Sequence, residues 1–130
     1  MFSYCRNLRE VVIPSSVTSI GSYAFQGCWG ISALAFPSGL TSIATYAFAQ
    51  TQGNSGISAG RLKTFDFRRA TSVPTLAQTN AFYSTYTDRE IIVPDELYED
   101  WIAADKWNSS DYSIVNTIVK ASESSLGPLT

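Results

Sequence analysis

A fixed step of 23 residues constrains this chain more than any other feature. Phe2, Phe25 and Phe48 occupy one position of the step, Cys5, Cys28 and Thr51 another, and Leu8 and Ile31 a third. Val11 and Leu34, Pro14 and Pro37, Val17 and Leu40, and Ile20 and Ile43 continue it without a slip. A period of roughly 20 to 50 residues marks a solenoid, in which each unit buries its apolar side only by stacking on its neighbours. The expected fold is therefore a repeat solenoid of stacked 23-residue coils.

Within one step, Leu8 to Pro14 alternates as a short strand does, with Val11 and Ile13 to one side and Glu10 and Val12 to the other. Proline then ends the strand, since it has no N–H to give to a ladder. Val17 to Ile20 makes a second extended piece, Gly21 is expected to turn the chain with positive φ, and Ser22 to Phe25 reads as one helical turn. The second coil repeats this through Phe36, Leu40, Ile43, Ala47 and Phe48, with Ala44 in place of the glycine.

The period breaks after Gln50 at TQGNSGISAGR. Matching Leu62, Phe65 and Phe67 to Leu8, Val11 and Ile13 implies eight extra residues, an insertion at about 51–61. It reads as tolerated length in a rim loop, with a binding loop as the alternative. The third coil is degenerate: Arg68 replaces the proline, Val73 and Leu76 keep the spacing of Val17 and Ile20, and Ala81-Phe82 restores the turn. Ile91 and Val93 then mark a fourth strand, expected to be the last.

Past Pro94 the pattern changes. Asp95 suits a helix N-cap, with Glu96, Glu99 and Asp100 at the positive end of the helix dipole and Lys106 at the other. Leu97, Trp101 and Ala104, with Tyr98 beside them, form an apolar stripe, so a helix over about 96–105 is expected to cover the open end of the stack. Trp107, Tyr112, Ile114 and Ile118 suggest an extended return. The expected division is repeats over 1–94, a C-terminal cap over 95–121 and a flexible tail over 122–130. Met1 falls where Ala24 and Ala47 fall in later coils, so the chain is expected to be a fragment of a longer array with further repeats before it.

These residues resemble the leucine-rich repeats of the BspA type, whose unit runs roughly Leu-x-x-Ile-x-Ile-Pro-x-x-Val-Thr-x-Ile-Gly-x-x-Ala-Phe-x-x-Cys. Leu8, Val11, Ile13, Pro14, Val17, Thr18, Ile20, Gly21, Ala24, Phe25 and Cys28 fill every position of it. The likeness runs to Pro94 with lapses at Ala44, Thr51, Arg68 and Thr85, and IIVPDELYEDWIAADKW looks like the cap that ends such arrays. The resemblance implies a leucine-rich-repeat solenoid of short parallel β-strands with helical turns, display at the cell surface or by secretion, and adhesion to host or bacterial extracellular proteins, to other cells or to glycans. It does not name the ligand.

Function classes narrow further by exclusion. Histidine is absent, which removes histidine-based triads, and no nucleotide-binding glycine motif occurs. Neither an enzyme nor a cofactor is expected. Glu96, Glu99 and Asp100 could be imagined as a glycosidase pair, but their place in the first turns of a helix accounts for them. Cys5 and Cys28, one step apart, read as buried thiols, with a disulfide between coils or a metal site as alternatives. Net charge is -2 with scattered Lys and Arg, no nucleic-acid footprint, and no apolar run nears the roughly 18 residues of a membrane span.

Binding is expected on the outward strand positions. Strands about 4.8 Å apart would align Glu10, Ala33, Thr64 and Glu90 in one column and Val12, Ala35, Asp66 and Ile92 in a second. Tyr23, Tyr46 and Trp29 flank the turns, where rim packing is the first reading and a stacking surface for sugars the second.

Overall fold

The computed structural model describes residues 10–26, 31–49, 53–54, 58–59, 62–83 and 88–126. The strands in chain order are β1 (Glu10–Val12), β2 (Ser19–Ile20), β3 (Ala33–Ala35), β4 (Ser42–Ile43), β5 (Gly53–Asn54), β6 (Ser58–Ala59), β7 (Thr64–Asp66), β8 (Thr75–Leu76), β9 (Glu90–Val93) and β10 (Ile118–Lys120). Among the described residues one α-helix, α1, spans Tyr98–Ala103.

The period becomes geometry through parallel pairing. A five-stranded sheet runs β1-β3-β7-β9-β10 and a three-stranded sheet runs β2-β4-β8. The first three of these coils each give one strand to each sheet, whereas β9 and β10 extend only the larger one, and the chain stacks on itself as a solenoid. Glu10 pairs with Ala33, 23 residues on, whereas Ala33 pairs with Thr64, 31 residues on. The difference is eight residues, and within that interval β5 and β6 form a small antiparallel ladder. Backbone bonds beyond the strands also join successive coils. Thr41 N–H donates to Thr18 O at 2.7 Å, Thr75 N–H to Thr41 O at 2.8 Å, and Phe25 N–H to Ala47 O at 2.8 Å.

Between the sheets lies an aromatic interior. Phe48 packs against Phe25, Phe36, Phe65 and Phe82 with ring centroids 6.2, 5.7, 5.1 and 5.4 Å away. Phe36 stacks on Phe67 at 4.2 Å. All of these rings are buried, as are Ile20, Ile43 and Leu76 on the second sheet. Cys5, Cys28, Thr51, Phe2 and Trp29 lie outside the described residues.

The turns differ from expectation. Ser22 to Gln26 is a turn rather than a helix, closed by Ala24 N–H to Gly21 O and Gln26 N–H to Tyr23 O, both 3.2 Å. The positive φ falls on Tyr23 (61°) and Tyr46 (56°), not on Gly21. A Cβ on Gly21 would meet open space, which is why Ala44 serves at the matching place.

The C-terminal segment also departs from the pattern read in the sequence. A 3₁₀ turn over Asp95–Leu97 precedes α1, and the Asp95 side chain caps no helix; it accepts the Ser122 N–H at 3.0 Å. The return is not extended throughout: 3₁₀ turns over Asp111–Ser113 and Val115–Thr117 lead into β10, and Tyr112 is exposed. β10 pairs with β9 in parallel, so β9 is not the last strand. Trp101 packs 5.1 Å from Phe67, and Trp107 lies 6.0 Å from Phe82 and 5.4 Å from Trp101. Arg89 is buried with its guanidinium 4.8 Å from the Phe82 ring and donates to Tyr112 O at 2.7 Å. Burial lowers its pKa to about 10, so it stays charged at neutral pH.

Both indoles are fully buried, but their N–H groups differ. Trp107 Nε1 donates to Pro74 O at 2.8 Å, whereas Trp101 Nε1 has no acceptor among the described residues. Removing a bond to a buried carbonyl costs about 1–3 kcal/mol. In chemical denaturation, Trp107→Phe is therefore expected to lose about 1 kcal/mol more stability than Trp101→Phe; equal losses would contradict this assignment.

Candidate functional site

The outward face of the five-stranded sheet is built by alternation. Because Val11, Leu34, Phe65 and Ile91 pair in register and turn inward, the residues on either side of each turn outward. Pairing aligns Glu10, Ala33, Thr64 and Glu90 in one column, and Val12, Ala35, Asp66 and Ile92 in the other. Only the exposure of these positions departs from the expectation.

Val12 is 72% exposed, and Ala33, Ala35, Thr64 and Glu90 are partly covered. Asp66 and Ile92 are buried at 5% and 0%. Ile92 lies in its column between Asp66 and Val119 of β10, and it is no part of the main interior cluster. The added strand and the chain beyond it explain the covering. Residues 122–126 do not trail from the stack: Ser122 N–H is held by Asp95, and Ser125 donates from Oγ to Glu90 Oε1 at 2.8 Å. Leu126 reaches the same hollow as Val12, Ala33 and Ala35.

Asp66 is buried because Arg68 follows it. At Pro14, Pro37 and Pro94 the chain leaves the strand without an N–H; arginine at this place brings one that needs an acceptor. Asp66 Oδ1 accepts it at 3.0 Å, and the carboxylate also takes Arg68 Nε at 2.8 Å and Nη2 at 2.9 Å. Arg69 Nη1 stands 3.6 Å off, on a half-exposed side chain. Burial acts to raise the Asp66 pKa, but the Arg68 hydrogen bonds and the two positive charges outweigh it, so the group sits below the usual 3.8. The expected free acidic contact is thus a clasp that replaces a proline.

Two hollows lie along this face. One of about 330 Å³ is floored by Ala33 and Ala35 and lined by Val12, Thr64, Asp66, Arg68, Arg69 and Leu126. The other, about 230 Å³, runs on from Val12 and Ala35 to Pro37 and Ser38, with Arg69 again on its wall. Arg69 and Leu126 were not legible as site residues: an arginine in a degenerate coil and a tail leucine carry no period.

On the turn side, Tyr23 and Tyr46 stack at 5.2 Å, Tyr83 meets Tyr46 edge-on at 6.2 Å, and Tyr112 meets Tyr83 at 5.9 Å. Their faces are largely turned on one another, which suits rim packing better than sugar stacking. Glu96, Glu99 and Asp100 are exposed at the start of α1. Among the described residues no group of three or more metal-binding side chains occurs, and no helix is long and apolar enough to cross a membrane.

Parallel coils with a patterned outward sheet define a repeat scaffold whose surface is set by its non-periodic residues. The chain belongs to the family of BspA type leucine rich repeat regions, whose model matches residues 1–99 in six copies. Members are generally non-enzymatic binding scaffolds, often engaged in adhesion or binding and typically at the surface or secreted. Comparison with curated proteins and with solved structures found no match.

The clasp carries a pH signature. A depressed carboxylate pKa contributes stability that is present above the unfolded-state value near 4 and lost as pH falls through the lower folded value. Asp66→Asn is expected to cost about 2 kcal/mol at pH 7. Denaturant midpoints measured down to pH 2 should converge for the two proteins below the usual carboxylate pKa of 3.8; parallel curves would contradict the clasp.

Proposed function

We propose that the chain is a non-enzymatic recognition or adhesion module of a bacterial cell-surface or secreted protein, binding extracellular protein or glycan partners through the outward face of the five-stranded sheet. The observation that carries this reading is the uneven covering of that face. Where β9 and β10 lie, it is closed by Ile92, the Ser125–Glu90 bond and the chain around them. Where β1 and β3 lie, Val12 stands open over two alanines. A recessed patch with an exposed apolar side chain and a charged margin suits a partner surface.

A second reading is favoured by the packing of Trp101 and Trp107 on the last coils: the segment from Asp95 serves as a structural cap, and the module as a spacer with no ligand of its own. The two readings separate experimentally. The domain is presented to an array of extracellular proteins and glycans beside a Val12→Arg, Thr64→Arg variant. A saturable interaction that drops about tenfold or more in a variant with unchanged melting supports recognition; silence across the array supports the spacer.

The cap reading makes its own demand. Truncation after Pro94 would uncover Phe67 and Phe82, which the two tryptophans cover. The shortened chain is expected to aggregate or to lose cooperative unfolding in size-exclusion and thermal melts. A monomer melting like the full chain would contradict a capping role.

A further inference from the structure

We propose that the trough formed by the two hollows on the outward face receives an extended peptide of a partner protein, with an aliphatic side chain over Ala33 and Ala35 and a carboxylate at Arg69. This rests on the sheet-face reading above and names the chemistry of its partner.

Three features converge on that class of ligand. The floor is the two outward alanines of β3, Ala33 and Ala35, so small side chains leave depth between Val12 and Leu126. The chain itself places an aliphatic side chain there: Leu126 follows the Ser125 anchor into the hollow and stays 48% exposed, so it does not fill the space. Charge sets the third condition. Asp66 is taken up by Arg68, which leaves the guanidinium of Arg69, half-exposed and 3.6 Å from the same carboxylate, as the surplus positive charge on the rim. Two arginines around one carboxylate leave a net positive charge there, and arginine forks match carboxylates, so an anion is drawn to the outer side of Arg69.

Arg69 lines both hollows, so it stands midway along the trough rather than at one end. Glu10 belongs to the other column, at the start of β1, across the face from Arg69. That polarity asks for an acidic residue close to the aliphatic one, not for a uniformly acidic chain. Among the described residues no exposed aromatic ring lines the trough, which disfavours a sugar; the exposed tyrosines lie on the turn side.

The test is selection of phage-displayed random peptides on the purified full chain, followed by titration of the recovered peptides against Arg69→Glu, Val12→Asp and Glu10→Arg variants. Val12 and Arg69 are exposed, and melting curves verify that all three variants remain folded. The expected result is a set with Asp or Glu within a residue or two of Leu, Ile, Val or Met, weakened about tenfold or more by Arg69→Glu and by Val12→Asp. Peptides that ignore these two changes but are lost with Glu10→Arg would overturn the trough while the sheet-face reading stands. Peptides indifferent to all three would overturn both, and a selection with no enrichment, or one dominated by basic peptides, would overturn the trough.

Discussion

The ring of Phe48 is the contact on which the rest of this structure depends. It touches the phenylalanine of the coil before it, Phe25, and of the coil after it, Phe82, and reaches Phe36 and Phe65 near the strands of the large sheet. One side chain thereby joins three coils and spans the thickness of the stack. Individual two- and three-residue strands are too short to be stable alone. They hold because pairing repeats at every coil and because the rings between the sheets form one connected interior.

That connection continues into the C-terminal segment by a change of residue type. Phe82 passes the contact to Trp107, and Phe67 passes it to Trp101. Arg89 adds a charged link, lying over Phe82 while donating to the Tyr112 carbonyl. Beyond β10 the chain then folds back over the sheet, where Asp95 and Glu90 hold Ser122 and Ser125. The same segment that packs on the interior therefore also decides which part of the outward face stays open, and any recognition by that face is shaped by residues outside the repeats.

Much of the fold was legible because a period repeats an environment. The step from Val11 to Leu34 predicts that both lie inward and pair, and the eight-residue offset at Phe65 follows from its neighbours Leu62 and Phe67. What was not legible lacks a second instance. Asp66 read as outward and free, and its burial depends on Arg68 standing where three other coils have proline. β10 has no counterpart in the repeats, so Ile92 read as exposed. Glycine's freedom pointed to Gly21, but the strained position is Tyr23, where the ring stacks on Tyr46 and the fold holds the left-handed backbone.

The most direct test of this account is amide hydrogen exchange, read by mass spectrometry, in a Phe48→Leu variant that keeps an apolar group but removes the ring. If Phe48 couples the coils, exchange should accelerate on both sides of it, in the segments around Ile20 and Phe25 and in those around Phe67, Leu76 and Val93. Acceleration confined to the Tyr46–Ala49 turn, with wild-type protection elsewhere, would contradict a single connected interior and leave each coil standing on its own contacts.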